Sequence, residues 1–223
     1  MTSDAKNFIL EHKIIAICRG IYGEDLKKLA QSLYKGGVKL MEVTFDQSNS
    51  NNLEETKNAI RMLRNHFKDK MKFGAGTVIT IPQIYAAQSA GAEFIISPNT
   101  DKEIIWKTHD LNMVSIPGAM TPTEILQAHY AGADFVKLFP AKTMGLNYFK
   151  DVKAPINHVP LIATAGITND NIGDFLDAGA VGVGISGYLT DKKLVSEGKF
   201  DTLEEHANIL TEIVNGRSVK NDQ

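Results

Sequence analysis

The sequence predicts an α/β protein, a single domain folded as a (β/α)8 TIM barrel around a parallel eight-stranded sheet. Three observations carry this expectation. Short apolar, β-branched runs alternate along the chain with segments of helical period. Eight such runs can be counted, and 223 residues suit eight closed units better than the open, doubly wound sheet that the same alternation allows. Four helix ends repeat one small-residue signal before the next strand.

The expected strands are Ile14–Cys18, Leu40–Phe45, Lys72–Gly74, Phe94–Ser97, Met113–Ile116, Phe135–Phe139, Pro160–Thr164 and Val181–Ile185. Between the first two, Leu26, Leu29, Ala30 and Leu33 recur at i, i+3, i+4 and i+7 and put one apolar stripe on a helix. Thr121-Pro-Thr-Glu124 reads as an N-cap, a proline in the first turn and a capping-box acid. Thr80-Ile-Pro82 and Thr168-Asn-Asp170 are weaker starts of the same kind. Gly36-Gly37, Ala90-Gly91, Ala131-Gly132 and Ala178-Gly179 each supply a glycine where a helix must reverse into a strand. Residues 1–223 form one domain in this reading, and the segment from Phe200 to Gln223 begins as a helix and ends in a polar, frayed tail.

Composition removes several classes. Lys and Arg number 24 against 26 Asp and Glu, a net charge of −2, so the broad basic footprint of a nucleic-acid binder is missing. Cys18 is the only cysteine, which excludes an internal disulfide and a Cys-rich zinc site. No apolar run is long enough to span a membrane. Met1 to Glu11 carries Asp4 and Glu11 without an apolar stretch, so no signal peptide is read there and a cytoplasmic location is expected. The six histidines fall outside the strand ends and form no HxH or HExxH pattern, so no metal is expected.

In such a barrel chemistry sits at the carboxyl ends of the strands. Lys137 interrupts the apolar Phe135-Val-Lys-Leu-Phe139, on the face of Phe135 and Phe139. If that face is the inner one, burial disfavours the ammonium form and prepares an amine nucleophile. A lysine whose stem is buried and whose head reaches solvent is the plain alternative. Glu42 interrupts Leu40-Met-Glu-Val-Thr44 in the same way and would partner Lys137 if both point inward. Gly74-Ala-Gly-Thr77, Thr164-Ala-Gly-Ile167 and Gly182-Val-Gly-Ile-Ser-Gly187 are glycine-bearing strand ends, and the last two occupy the usual phosphate position of these barrels.

Taken together, Glu42-Val-Thr44, Gly74-Ala-Gly-Thr-Val78, Ile96-Ser-Pro98, Ile116-Pro-Gly118, Lys137-Leu-Phe-Pro140 and Thr164-x-Gly-Ile167 resemble the 2-keto-3-deoxy-6-phosphogluconate (KDPG) / 4-hydroxy-2-oxoglutarate (KHG) aldolases, from about Ile14 to Leu189. The resemblance implies a class I aldolase, commonly a homotrimer, that needs no metal or organic cofactor. Its substrate would be a small 2-oxo acid, phosphorylated in the KDPG case. Lys137 would form the imine and Glu42 would move protons. Thr77 and Pro98 would line the pyruvyl end, Phe139 would wall the imine, and Thr164 would face the aldehyde-derived hydroxyl. Arg19 would meet an anionic substrate group, and the Ala165-Gly166 and Ser186-Gly187 backbones would hold the phosphate.

Three departures stand out. Asp46 occupies the place of an arginine that pairs with the substrate carboxylate in that family, so either Arg19 compensates or the accepted substrate differs. Ala165 replaces a glycine, which is cheap only where φ is negative. The Ile185-Ser-Gly-Tyr-Leu189 ending shifts Ser186 by one position. Other readings are a 2-keto-3-deoxy-6-phosphogalactonate aldolase, a cofactor-free sugar-phosphate isomerase, which would leave Lys137 without a task, and a binding protein that has lost catalysis.

Overall fold

A computed structural model describes residues 2–221, with side chains for residues 3–217. Nine parallel strand segments form one sheet: β1 Ile14–Cys18, β2 Leu40–Thr44, β3 Lys72–Gly76, β4 Phe94–Ile96, β5 Val114–Ile116, β6 Gly118–Ala119, β7 Val136–Leu138, β8 Leu161–Thr164 and β9 Gly182–Ile185. The sheet order runs β5-β4-β3-β2-β1-β9-β8-β7-β6. Its two ends, β5 and β6, are halves of one barrel strand broken at Pro117, which has no N–H for the ladder. The Pro117 carbonyl still accepts from Lys137 N at 2.9 Å. The barrel is thus closed covalently through residue 117. The eight expected strands are all present, the fifth in two pieces.

The strand boundaries differ from expectation at one informative place. β3 continues through Ala75-Gly76, two residues past its expected end at Gly74. Both glycines are there for clearance. A Cβ at Gly74 would overlap the Phe94 ring, and one at Gly76 would lie 2.5 Å from Glu42 Oε1.

Alternation divides the strand residues into two cores. Ile15, Leu40, Phe94, Val114, Phe135 and Ile162 fill the barrel, and Ile14, Met41, Phe73, Val136, Leu161 and Val183 face the helices. Lys137, two residues after Phe135, therefore points inward. The outer ring consists of α2 Gly23–Lys35, α3 Asn52–Phe67, α4 Ile81–Ser89, α5 Lys102–Asp110, α6 Pro122–Tyr130, α7 Ala141–Lys153, α8 Ile172–Asp177, α9 Lys192–Ser196 and α10 Phe200–Asn221; α1, Thr2–His12, lies apart from it. Leu26, Leu29, Ala30 and Leu33 of α2 are all buried, as their spacing predicts. Thr121 and Glu124 form the expected capping box. Gly37, Gly91, Gly132 and Gly179 all have φ between +87° and +98°, the left-handed reversal that the four repeated signals implied. α8 starts after Asn171, later than the Thr168 signal suggested. α10 buries Leu203, Ala207, Leu210 and Val214 against the barrel exterior and stays helical through Asn221, where a frayed tail is expected; residues 222 and 223 lie outside the described residues.

α1 closes the amino end of the barrel. Ala5 and Ile9 pack under Ile15, Leu40, Phe94 and Phe135. Buried Lys72 reaches Asp4 at 2.7 Å and Glu93 at 2.6 Å across the same rim. With that end plugged, the approach to the interior lies at the carboxyl ends of the strands. Among the described residues no helix is long and apolar enough to cross a membrane.

Candidate active site

Glu42 and Lys137 enter one small cavity inside the barrel, walled by Ile96, Ile116, Ile162 and Thr164. Glu42 stands on β2 between Ile17 of β1 and Gly74 of β3. Its carboxyl leans over Gly76, the residue whose missing side chain leaves room for it. It is 1% exposed, and Oε2 has no hydrogen-bond partner. Burial pushes the Glu42 carboxyl up from its ordinary range, against the pull of the Lys137 and Arg19 charges. Lys137 stands on β7 between Gly118 and Ile162. Burial pushes its ammonium pKa down, Glu42 opposes that shift, and Arg19 adds to it. Among the described residues no ion pair within 4.0 Å joins the two. Lys137 Nζ lies 4.7 Å from the centroid of the Phe139 ring.

Of the other sequence-selected residues, Thr164 lines the same cavity, and the rest lie just past the carboxyl ends of the strands. Thr164 ends β8, buried, beside Gly184 of β9, where an added Cβ would lie 2.8 Å from its Oγ1. Gly118 passes so close to the Pro98 carbonyl that a side chain there would clash, which brings Pro98 next to the strand that pairs with Lys137. Thr77 follows β3, and Arg19 follows β1; Arg19 Nη2 donates to Thr77 Oγ1 at 3.1 Å. Ala165-Gly166 follows β8 and Ser186-Gly187 follows β9. Ser186 and Gly187 are exposed, and a Cβ on Gly187 would meet nothing within 4 Å.

Two departures acquire a physical account. Ala165 has φ +76°, so the cheap negative-φ case does not hold: the loop keeps the left-handed shape that suits glycine and the alanine bears strain in it. Its carbonyl accepts from Lys142 N at 2.9 Å, and the Lys142 stem covers Gly166, whose φ is +78°. Asp46 is turned back on its own loop. Its Oδ1 accepts from Ser48 N at 3.0 Å and Ser48 Oγ at 2.7 Å, and these bonds hold its carboxyl below the ordinary range, with smaller help from Arg19 and Lys192.

Several residues escaped the sequence reading. Lys192, the first residue of α9, reaches over the β1 loop, with Nζ 2.8 Å from where a Gly20 Cβ would stand. Gln47 Nε2 donates to the Thr77 carbonyl at 2.8 Å. Thr44, one step above Glu42 on the same face, is buried with an unpartnered hydroxyl. Only Thr44 carried a signal, the alternation it shares with Leu40 and Glu42. The histidines lie away from the cavity, and among the described residues no cluster of His, Cys, Asp and Glu could hold a metal.

A model of the KDPG and KHG aldolases matches residues 5–206, and the chain belongs to that family; it is an aldolase, a lyase. It is 30% identical to the 2-dehydro-3-deoxy-phosphogluconate aldolase of Haemophilus influenzae, over 92% of this chain and 93% of that one. It is also 30% identical to the 2-dehydro-3-deoxy-6-phosphogalactonate aldolase of Escherichia coli, over 79% of this chain and 83% of the relative. Among solved structures, the KDPG aldolase of Legionella pneumophila, with pyruvate captured as a covalent carbinolamine, superposes with a TM-score of 0.81 at 25% identity, covering 92% of this chain and 97% of that one.

Proposed function

We propose that the chain is a class I aldolase that splits a 4-hydroxy-2-oxo acid, KDPG or 4-hydroxy-2-oxoglutarate, into pyruvate and an aldehyde. The observation that carries this is a buried lysine with a lowered pKa sharing one cavity with a buried glutamate whose pKa is raised. Neutral Lys137 Nζ attacks the C2 carbonyl, and loss of water leaves an iminium. Glu42 takes the C4 hydroxyl proton, the C3–C4 electron pair moves into the iminium, and the aldehyde departs. Protonation at C3 and hydrolysis then release pyruvate and free the amine. The scheme uses no metal or organic cofactor.

In the same reading Arg19 and Thr77 receive the carboxylate end, Pro98 and Phe139 wall the pyruvyl unit, and Thr164 meets the C4 hydroxyl. The backbones of Ala165-Gly166 and Ser186-Gly187 receive a phosphate in phosphorylated substrates. A homotrimer in the cytoplasm belongs to it too: Tyr85, Trp106 and Tyr130 stand exposed on three successive helices and offer apolar surface that assembly would cover. The equal identity to a 6-phosphogalactonate aldolase supports that epimeric substrate as a second reading. Incubation with pyruvate and borohydride, followed by peptide mapping, is expected to place a reduced pyruvyl adduct on Lys137. Lys137→Ala is expected to remove both adduct and turnover, and turnover surviving in that variant would defeat the proposal.

A further inference from the structure

Thr77 has φ +56°, a left-handed conformation that a β-branched residue rarely adopts and that persists only where the surroundings enforce it. Those surroundings form a chain of amides. Gln83 Oε1 accepts from Ile79 N at 2.9 Å and Thr80 N at 3.2 Å. Its Nε2 must then face outward, and it donates to Gln47 Oε1 at 3.0 Å. Gln47 therefore turns its own Nε2 to the Thr77 carbonyl, at 2.8 Å. Two backbone N–H groups at one end thus fix the direction of every bond in the series, because an amide has one accepting and one donating end. At the far end the Thr77 hydroxyl accepts from Arg19 Nη2 at 3.1 Å.

We infer that Gln83 and Gln47 are positioning residues: a one-directional amide relay that locks Thr77 in its left-handed conformation and so aims the Thr77 hydroxyl, with the Arg19 guanidinium bound to it, at the carboxylate of the incoming 2-oxo acid. The inference rests on the aldolase reading above. Gln83 is 3% exposed on the first turn of α4, and Gln47 lies on the loop after β2, so neither needs to touch substrate. The relay matches the chemistry of its target. A carboxylate needs donors held at fixed separation, and a flexible surface arginine anchored on a threonine hydroxyl supplies them only while that threonine stays put.

The direction of the relay makes it testable without breaking the fold. Gln83→Glu keeps the acceptor for Ile79 N and Thr80 N, and glutamate is a favourable residue at this capping-box position. Its second oxygen, however, faces Gln47 Oε1. Gln47 must flip its amide, which sets oxygen against the Thr77 carbonyl. Gln47→Glu opposes the same carbonyl directly. For both variants the pyruvate concentration giving half-maximal borohydride trapping on Lys137 is expected to rise about fivefold, roughly the worth of one hydrogen bond. The limiting rate is expected to stay within about twofold, because Lys137 and Glu42 are untouched. Unchanged half-saturation in Gln83→Glu would overturn the relay. So would a fall in limiting rate and melting temperature with no change in half-saturation, the mark of a merely structural role. If the unmodified chain traps no pyruvate, the aldolase reading fails first and the relay loses its ligand with it.

Discussion

Adding one methyl group at Gly76 would test Glu42 without altering it. A Cβ at that position would lie 2.5 Å from Glu42 Oε1, 2.7 Å from Cδ and 3.0 Å from Oε2. Ordinary contact begins near 3.4 Å, so the carboxyl falls short of clearance by about 0.9 Å. It has little freedom to yield: Glu42 is 1% exposed, and β2 is paired on both edges, with β1 and β3. Overpacking of this kind destabilises by about 1–3 kcal/mol, or roughly 2–12 °C of melting temperature for a chain of this size. Displacing a catalytic group by about 1 Å costs on the order of 100-fold in rate. Gly76→Ala is therefore expected to remain folded and to cleave a 4-hydroxy-2-oxo acid about 100-fold more slowly. Prolonged incubation with pyruvate and borohydride should still label Lys137, which stands on β7. Steady-state kinetics on the purified variant, alongside thermal denaturation and adduct mapping, decides the matter. An unchanged kcat would refute the reasoning, because it would show that moving the Glu42 carboxyl has no consequence for the reaction.

Other perturbations follow from the same geometry. Burial lowers the Lys137 pKa, so the pyruvate trapping rate should climb with pH to a midpoint below 10.5; Glu42→Gln should move that midpoint down and Arg19→Ala should move it up, and the opposite pair of signs would count against the charge assignment. Ala165→Gly removes left-handed strain of about 1–2 kcal/mol and adds about 0.4–1 kcal/mol of unfolded-chain freedom, so calorimetry should show a melting temperature unchanged or higher, by up to about 6 °C. A fall of more than about 2 °C would mean that the alanine methyl packs better than its φ of +76° suggests. Lys192→Ala removes a cation that acts on Asp46 together with Arg19, and should raise KM for a phosphorylated substrate about tenfold at low salt, with a smaller effect at high salt. If pyruvate trapping weakens equally, Lys192 serves the carboxylate end instead.

The barrel was legible because its main signals are local. Alternation within a few residues sorts Phe135 and Lys137 from Val136 and Leu138, and one glycine per helix end marks each reversal. What escaped depends on contacts between distant segments. Gly76 has poor strand propensity and lies past the expected strand end until Glu42 is seen filling the space beside it. Pro117 looks like a strand terminator, yet the chain resumes the same barrel strand one residue later and pairs with a different neighbour. The plug formed by α1 rests on Ala5 and Ile9 sharing one core cluster with Ile15, Leu40, Phe94 and Phe135, residues far apart in the sequence. Gln47 and Gln83 are ordinary polar residues in sequence, and their separation of 36 positions hides the bond between them. Of the proposed site, Glu42 and Lys137 were readable from the strands themselves, because a charge in an apolar strand is locally anomalous. Arg19 on the rim was reached only through the family resemblance, and Lys192, Gln47 and Gln83 not at all, because loops carry such residues everywhere.

Among the described residues Glu42 and Lys137 form no ion pair within 4.0 Å, and burial works against the charge of each. Each charge favours ionisation of the other, but burial is the larger influence on both, and it acts against ionisation. The unpartnered Oε2 fits that ordering, since a buried carboxylate kept for its charge would collect donors. A proton passing from the ammonium to the carboxylate leaves an amine and a carboxylic acid, the two species that attack on a carbonyl and departure of water require. The consequence for stability has a definite sign. The folded pKa of Glu42 is raised, so its contribution is fully present below 4.5 and is lost as pH rises through the folded value. The folded pKa of Lys137 is lowered, so the burden of burying its charge is greatest at low pH and is relieved as pH climbs from the folded value towards 10.5. Neither residue strengthens the fold near neutrality in the way a well-paired surface of apolar side chains would. Isoleucine or leucine at either place would extend the packing of Ile96, Ile116 and Ile162 across the barrel. That the interior instead holds two groups that burial penalises is the strongest physical reason to assign the chemistry to them.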